Sequence, residues 1–428
     1  MPRCSLFAAL WAVLISFQVW AGPAEFDALE FGAVGDSQAD DTAAIQKALD
    51  AAGAGGGGVV LLPAGTYKLL SSLTVPPGVT LQGIWSGPHH EDRTWGSALF
   101  LYGGRGQATG EAAIHLSPSS AIRGLTLFHP EQSIREIVPY PYAIDGGGME
   151  LVVENVTLVN AFQGIDFSAV HELHTIRNVR GCVLKQGILI DRCTDIGRIE
   201  NVHFNPHYWA RSISAPGAEA NPADWQPLVN YLNENLDVFI FARSDWEYVL
   251  NTFAWGFKTC YKFIERDQGG CNGNFLGIGA DGGQYCLWVE YTQPPGLLIT
   301  NGEFVSFSGD KPVQIVTTPD FQGLVQLNNC SFWGPTHQCV RQEGKGTVSL
   351  NQCNFQHWGF KGDEQAPAVE TLSGELTVTG CLFAMDRPHI RVGSEAGHAI
   401  IDHNRYRGEK KVELLNANKE DRSRFSVD

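Results

Sequence analysis

A four-residue pattern of Asn, apolar, any residue, apolar returns along this chain at nearly constant spacing. It starts at Asn155, Asn178 and Asn201, 23 residues apart each time. It returns at Asn251, Asn274, Asn301 and Asn329, and Gly83, Gly124, Gln352 and Gly380 hold the same place where the Asn is missing. A short apolar strand precedes most of these marks, a second follows, and a third comes after a variable loop. A period in the low twenties with three strands per turn builds a parallel β-helix. Eleven coils stacked at strand spacing make a rod on the order of 50 Å long. Each coil touches only its neighbours, so 428 residues need not divide into separate globular domains.

The Asn column has a physical reason. A tight turn between two strands needs a left-handed residue, which Asn and Gly tolerate best. Stacked amides can also hydrogen-bond along the column. Cys330, Cys353 and Cys381 each follow a mark, and Phe332, Phe355 and Phe383 lie two residues later. Alternation turns both sets inward. These cysteines therefore read as stacked small hydrophobes rather than nucleophiles.

Ahead of the repeat, residues 31–83 read as a short helix near 41–52, a glycine run at Gly55 to Gly58, and two strands broken by Pro63-Ala64-Gly65. Asp40 or Asp41 is placed to cap the helix. This order resembles the N-terminal cap of the pectate-lyase superfamily. That group includes rhamnogalacturonase/epimerase-like proteins, relatives of glycoside hydrolase families 28 and 55, and phage tailspikes. The resemblance implies an all-β, single-stranded right-handed parallel β-helix with a short N-terminal capping helix. It leaves the chemistry open, because the same cap sits on hydrolases, lyases, epimerases and binding proteins. The Asn-Thr-Asp, paired-Asp, Gly-His-Gly and Arg-Ile-Lys motifs of family 28 polygalacturonases do not occur.

The division expected is a signal peptide at 1–21, a β-helix at 22–405 carrying an inserted loop at 205–235, and a polar tail at 406–428. Arg3, the apolar run from Leu6 to Phe17 and Ala21 carry the signal reading. It implies a secreted or periplasmic protein, with no membrane contact after cleavage. The formal charge of -16 argues against nucleic acid and anionic membranes as partners. Ten cysteines, one of them Cys4 in the leader, leave an odd nine in the mature chain, so a complete disulfide framework is excluded. No Cys/His spacing suggests zinc. No metal or cofactor is expected, apart from calcium as an option on an acidic face. Superfamily members that trimerise leave a homo-oligomer open.

The third strand of each coil carries outward charge. Ile144 and Ile165 point in, so Asp145 and Asp166 point out in one column, with Asp191 one coil on. Arg243, Lys262, Glu265, Asp267 and Glu290 continue down the face. The candidate catalytic residues are Asp166, Asp145, Asp191 and Glu265. Carboxylates on neighbouring coils lie nearer the retaining than the inverting separation for glycoside hydrolysis. A solvated acidic surface explains them equally well, and a calcium site is the lesser alternative. The loops at 84–110 and 128–141 flank this face, and the longest, 205–235, breaks the spacing. Its His207, Tyr208, Trp209 and Trp225, with Arg243 and Lys262 on the face, are the candidate substrate-binding residues. Flat rings with polar edges suit sugars, although packing the loop onto the rod would use the same rings.

The preferred reading is a glycoside hydrolase acting on a polysaccharide or oligosaccharide. A polysaccharide lyase or uronan epimerase is the alternative, using a base and a cation against a uronate carboxylate. A non-catalytic glycan-binding or structural β-helix is the third.

Overall fold

The computed structural model describes residues 24–87, 96–211, 225–415 and 424–427. The leader at 1–21 lies outside these residues. Three columns of parallel strands wind through about 14 turns, a rod of roughly 65 Å at strand spacing. It is longer than the marks imply, because the first and last coils carry neither Asn nor Gly at the turn.

The first column runs from Glu25–Asp27 through Val152–Glu154 to Phe425–Val427. The second contains Ser97–Leu101, Leu125–Phe128 and Phe253–Trp255. The third contains Ile114–Leu116, Tyr142–Gly146, Asp237–Phe241 and Thr259–Phe263. Two long strands, Thr157–Phe167 and Arg180–Ile190, bend from the second column into the third.

The turn between the first two columns is the Asn ladder. Asn155, Asn178, Asn201, Asn251, Asn301 and Asn329 all have φ between 51° and 57°. Asn178 Nδ2 donates to Asn155 Oδ1 at 2.9 Å, Asn201 to Asn178 at 2.6 Å, and Asn329 to Asn301 at 2.7 Å. One mark was misread. Asn274 lies inside the strand Cys271–Leu276, and Gly277, at φ 64°, makes the turn. The turn there comes three residues after the mark, which the local pattern does not reveal.

Helix α1, Thr42–Ala54, turns Ile45, Ala48, Leu49 and Ala52 inward over the first coils. Asp40 Oδ1 accepts from the Thr42 N–H at 3.1 Å. Asp41 instead accepts from Val34 and Gly35, tying the preceding turn. Gly57, at φ 121°, ends the helix where a Cβ would lie 2.7 Å from the Gly78 carbonyl oxygen.

Inside the rod, Phe332, Phe355 and Phe383 stack at centroid spacings of 4.7 and 4.8 Å, the coil repeat itself. Cys330, Cys353 and Cys381 are buried free thiols beside them. The tail differs from expectation. Arg405–Tyr406, Val412–Leu414 and Phe425–Val427 pair with the last coils in all three columns. Its alternating apolar residues, masked in the sequence by charge runs, satisfy the open strand edge.

Candidate active site on the third column

Strand register fixes one outward row along the third column. His115, Asp145 and Asp166 are successive partners, followed by Leu189, Ile240, Lys262, Trp288, Val316, Arg341, Glu370, Arg391 and Glu413. The inward neighbours Ile114, Ile144, Ile165 and Ile188 are fully buried, which holds the row outward.

The two ends of this row behave differently. At the C-terminal end the charges are paired: Arg341 with Glu370 at 2.6 Å, Arg391 with Glu370 at 3.2 Å and with Glu413 at 2.8 Å. At the N-terminal end His115 Nδ1 meets Asp145 Oδ1 at 2.7 Å, with both side chains partly exposed. Next to them Asp166 is half-buried, and its Oδ1 has no hydrogen-bond partner. Burial raises the Asp166 pKa, and neighbouring Asp145 adds to this. Hydrogen bonds from Ser168 and the charge of Arg266 offset the rise only in part.

Tyr142 begins the strand that carries Asp145. Its hydroxyl crosses one coil and donates to Gln186 Oε1 at 2.5 Å. Burial pushes its pKa up, Asp166 pushes it further, and Arg266 opposes both. Arg266 reaches in from the turn after Thr259–Phe263, and its Nη1 donates to Asp191 Oδ2 at 3.3 Å. A cavity of ≈ 290 Å³ opens beside Tyr142, walled by Leu70, Gly104, Gln107, Glu111 and Pro141. Gln163 pins its two loops, donating to the Ala108 and Tyr140 carbonyls.

Asp191 is not a free carboxylate on this face. The register partner of Asp166 is Leu189, and Asp191 lies two residues beyond it, 3 % exposed. It accepts from the Arg192 and Arg243 N–H groups and from Arg266, so it anchors turns and aims Arg266. Arg243 pairs with Asp245 at 2.7 Å and Lys262 with Asp237 at 2.8 Å. Glu265 is exposed in the turn beside Arg266.

The long insertion folds as a short helix, His207–Ala210, and a second, Gln226–Asn235, against Thr157–Phe167 and Arg180–Ile190. Tyr208 and Trp209 are 3 % and 1 % exposed and serve as core, not as sugar platforms. Helical phase decides this: the short helix turns its apolar face onto the rod. His207 and Trp225 pack on each other at 4.6 Å, and Trp225 stacks on Trp255 at 5.6 Å. His129 and Tyr140 of the 128–141 loop are likewise buried. Residues 88–95 and 212–224, including His89, Trp95 and Asp224, lie outside the described residues.

Sequence reasoning missed Tyr142, His115, Gln186 and Arg266 as site members. Outward alternation flags His115 beside Asp145. Tyr142 and Arg266 carry no such signal, because a strand start and a turn bring them in.

Residues 26–99 match the family described as rhamnogalacturonase A/epimerase, pectate lyase-like. The fold is a parallel β-helix, and its first coils are similar to that family. A 56-residue stretch of the β-helix is 57 % identical to mannuronan C5-epimerase AlgE1 of Azotobacter vinelandii, covering 13 % of this chain and 4 % of that one. A 45-residue stretch is 53 % identical to alginate lyase 7 of the same organism, covering 10 % of this chain and 5 % of that one. Among solved structures, the catalytic domain of a GH87 α-1,3-glucanase in complex with nigerose matches over 90 % of this chain and 66 % of its own length. Its TM-score is 0.53 at 12 % identity, a likeness of fold.

Proposed function

We propose that this pectate-lyase-like β-helix is a polysaccharide-modifying enzyme that moves the proton beside a uronate carboxylate, as an epimerase or a lyase. One observation carries the reading: Arg266, the half-buried Asp166 and the Tyr142 hydroxyl meet beside the His115–Asp145 pair. Removing that proton builds negative charge on the substrate carboxylate. Arg266 offsets it, and the raised pKa of Asp166 favours a proton shared with that carboxylate. Asp145 holds His115 through Nδ1 and leaves Nε2 as a base, while the Tyr142 hydroxyl can give a proton from another direction. Return of a proton to the opposite face inverts the sugar; loss of the neighbouring glycosidic oxygen cleaves the chain. The epimerase and lyase names of the matched relatives support this alternative over the preferred reading from sequence. Their matched segments are short, so substrate and activity rest on the site.

A second reading stays in view. Asp145 and Asp166 on adjacent coils suit a retaining glycosidase, for which carboxyl groups stand about 5–5.5 Å apart. The discriminating experiment incubates the protein with polymannuronate, polygalacturonate and neutral glycans in D2O. Deuterium at the carbon beside the carboxylate, with inversion or an unsaturated ultraviolet-absorbing end, is the expected result. New reducing ends with neither signal would overturn it in favour of hydrolysis.

A further inference from the structure

Behind the site, the turns that leave the third column in three successive coils enclose a polar cluster inside the rod. His171, Cys193 and Ser244 stack through parallel bridges. His174 and Glu247 complete the group, and His174, Cys193 and Glu247 are 0 % exposed, His171 1 %. No feature of the proposed reaction uses them.

The hydrogen bonds fix where the lone pairs point. His171 Nδ1 lies 2.9 Å from the Ala169 carbonyl oxygen, which only accepts, so Nδ1 carries a hydrogen. His174 Nε2 lies 3.2 Å from Glu247 Oε1, and the same carboxylate takes the Ser244 hydroxyl at 2.5 Å through Oε2. That makes His174 Nε2 the donor as well. The remaining nitrogens, His171 Nε2 and His174 Nδ1, face each other at 3.0 Å, and Cys193 Sγ lies 3.8 Å from His174 Nδ1. Two lone pairs at that distance need a positive centre between them.

We propose that His171 Nε2, His174 Nδ1 and Cys193 Sγ form a buried binding site for a zinc-class divalent ion. All three ligand atoms lie within 4.8 Å of one another. Around a tetrahedral zinc, two imidazole nitrogens would stand about 3.4 Å apart, and a thiolate sulfur about 3.6 Å from either. The separations from His174 Nδ1, 3.0 Å to His171 Nε2 and 3.8 Å to Cys193 Sγ, need shifts of a few tenths of an ångström. Both rings already have outer partners, a carbonyl and a carboxylate, which orient ligating histidines in metal sites. Two imidazoles and a thiolate select zinc or cobalt and reject calcium, a hard ion that seeks oxygen. The charges also close. The divalent ion displaces one proton from between the imidazoles and one from the thiol. With the Cys193 thiolate and the Glu247 carboxylate it leaves the interior neutral. Neither residue spacing nor the acidic outer face pointed here, because Cys193 comes from the next coil. Bound there, the ion would staple the turns behind Asp166 and Asp191.

The test is metal content and colour, neither of which depends on turnover. The full chain is produced without a polyhistidine tag in zinc-supplemented and in cobalt-supplemented medium. The expected result is one equivalent of metal per chain after dialysis. The cobalt form should show a thiolate-to-cobalt charge-transfer band in the near ultraviolet. Cys193→Ser should lose the band, and Cys182→Ser, at another buried thiol, should keep it. Substoichiometric metal in wild type from both media would overturn the proposal, and so would a band that survives Cys193→Ser. Wild-type metal content decides the matter even if a variant fails to fold.

Discussion

Burial makes Asp166 hold its carboxyl proton more tightly than usual, and the neighbouring Asp145 carboxylate adds to this. The folded protein therefore binds that proton more tightly than the unfolded chain. Its stabilising contribution is complete below the ordinary carboxylate value of 3.8 and is lost as pH rises through the raised folded value. At neutral pH ionised Asp166 is a cost. Asp166→Asn should thus keep or raise the melting temperature at pH 7 while cutting turnover by about 10²–10⁴-fold. A calorimetric scan beside a rate assay checks both; full activity in the variant would return Asp145 and Asp166 to plain surface. Tyr142→Phe should lower the rate with little effect on stability. His129 behaves oppositely. Burial lowers its pKa to about 3 from 6.5, so it stays neutral in the fold. Its stabilising contribution is present above 6.5 and drains away as pH falls towards 3. Urea midpoints between pH 7 and 4 should fall, and His129→Gln should flatten that slope. At this scale the sequence yielded the shared outward column of Asp145 and Asp166, because alternation around Ile144 and Ile165 is local. Arg266 and Gln186 were beyond it, since their partners lie two or more coils away. Tyr208 and Trp209 were assigned to sugar because an aromatic ring looks the same in a core and on a platform.

Among the elements, the turns and the inward stacks set the register on which the site depends. Asn178 holds a left-handed turn at φ 55° and both donates and accepts in the amide ladder. Asn178→Ala should cost about 1–3 kcal/mol, from the backbone conformation and an unsatisfied amide, and Asn178→Gly less. Phe355 stacks between Phe332 and Phe383 with no exposed surface, so Phe355→Ala should cost about 3–5 kcal/mol. Denaturant midpoints at constant slope check both. These elements were the most legible part of the chain, because period, turn residue and inward alternation coincide in each coil. The exception at Gly277 shows the limit: where the turn comes three residues after the mark, the motif misleads.

The whole molecule carries a formal charge of -16, and a uronan is itself a polyanion. A uronan substrate would have to be drawn against that field, with Arg266 as the near cation of the proposed site. Raising ionic strength from about 0.01 to 0.15 M shortens the Debye length from about 30 to 8 Å. If a uronan is the substrate, kcat/KM should therefore rise over that range, with kcat nearly constant. A neutral glycan would show a flat profile, so this series also separates the two readings of the site.

Helix α1 lies over the first coils, whereas among the described residues the far end closes with short paired strands. In mechanical terms the rod is a zip with one end sewn. Drawn out from its C-terminus in an optical trap, it should yield in a run of small, nearly equal steps, each releasing one coil. Drawn from its N-terminus, it should resist until the helix is torn away. Between the two directions the same bonds break, and only the order of their loading differs.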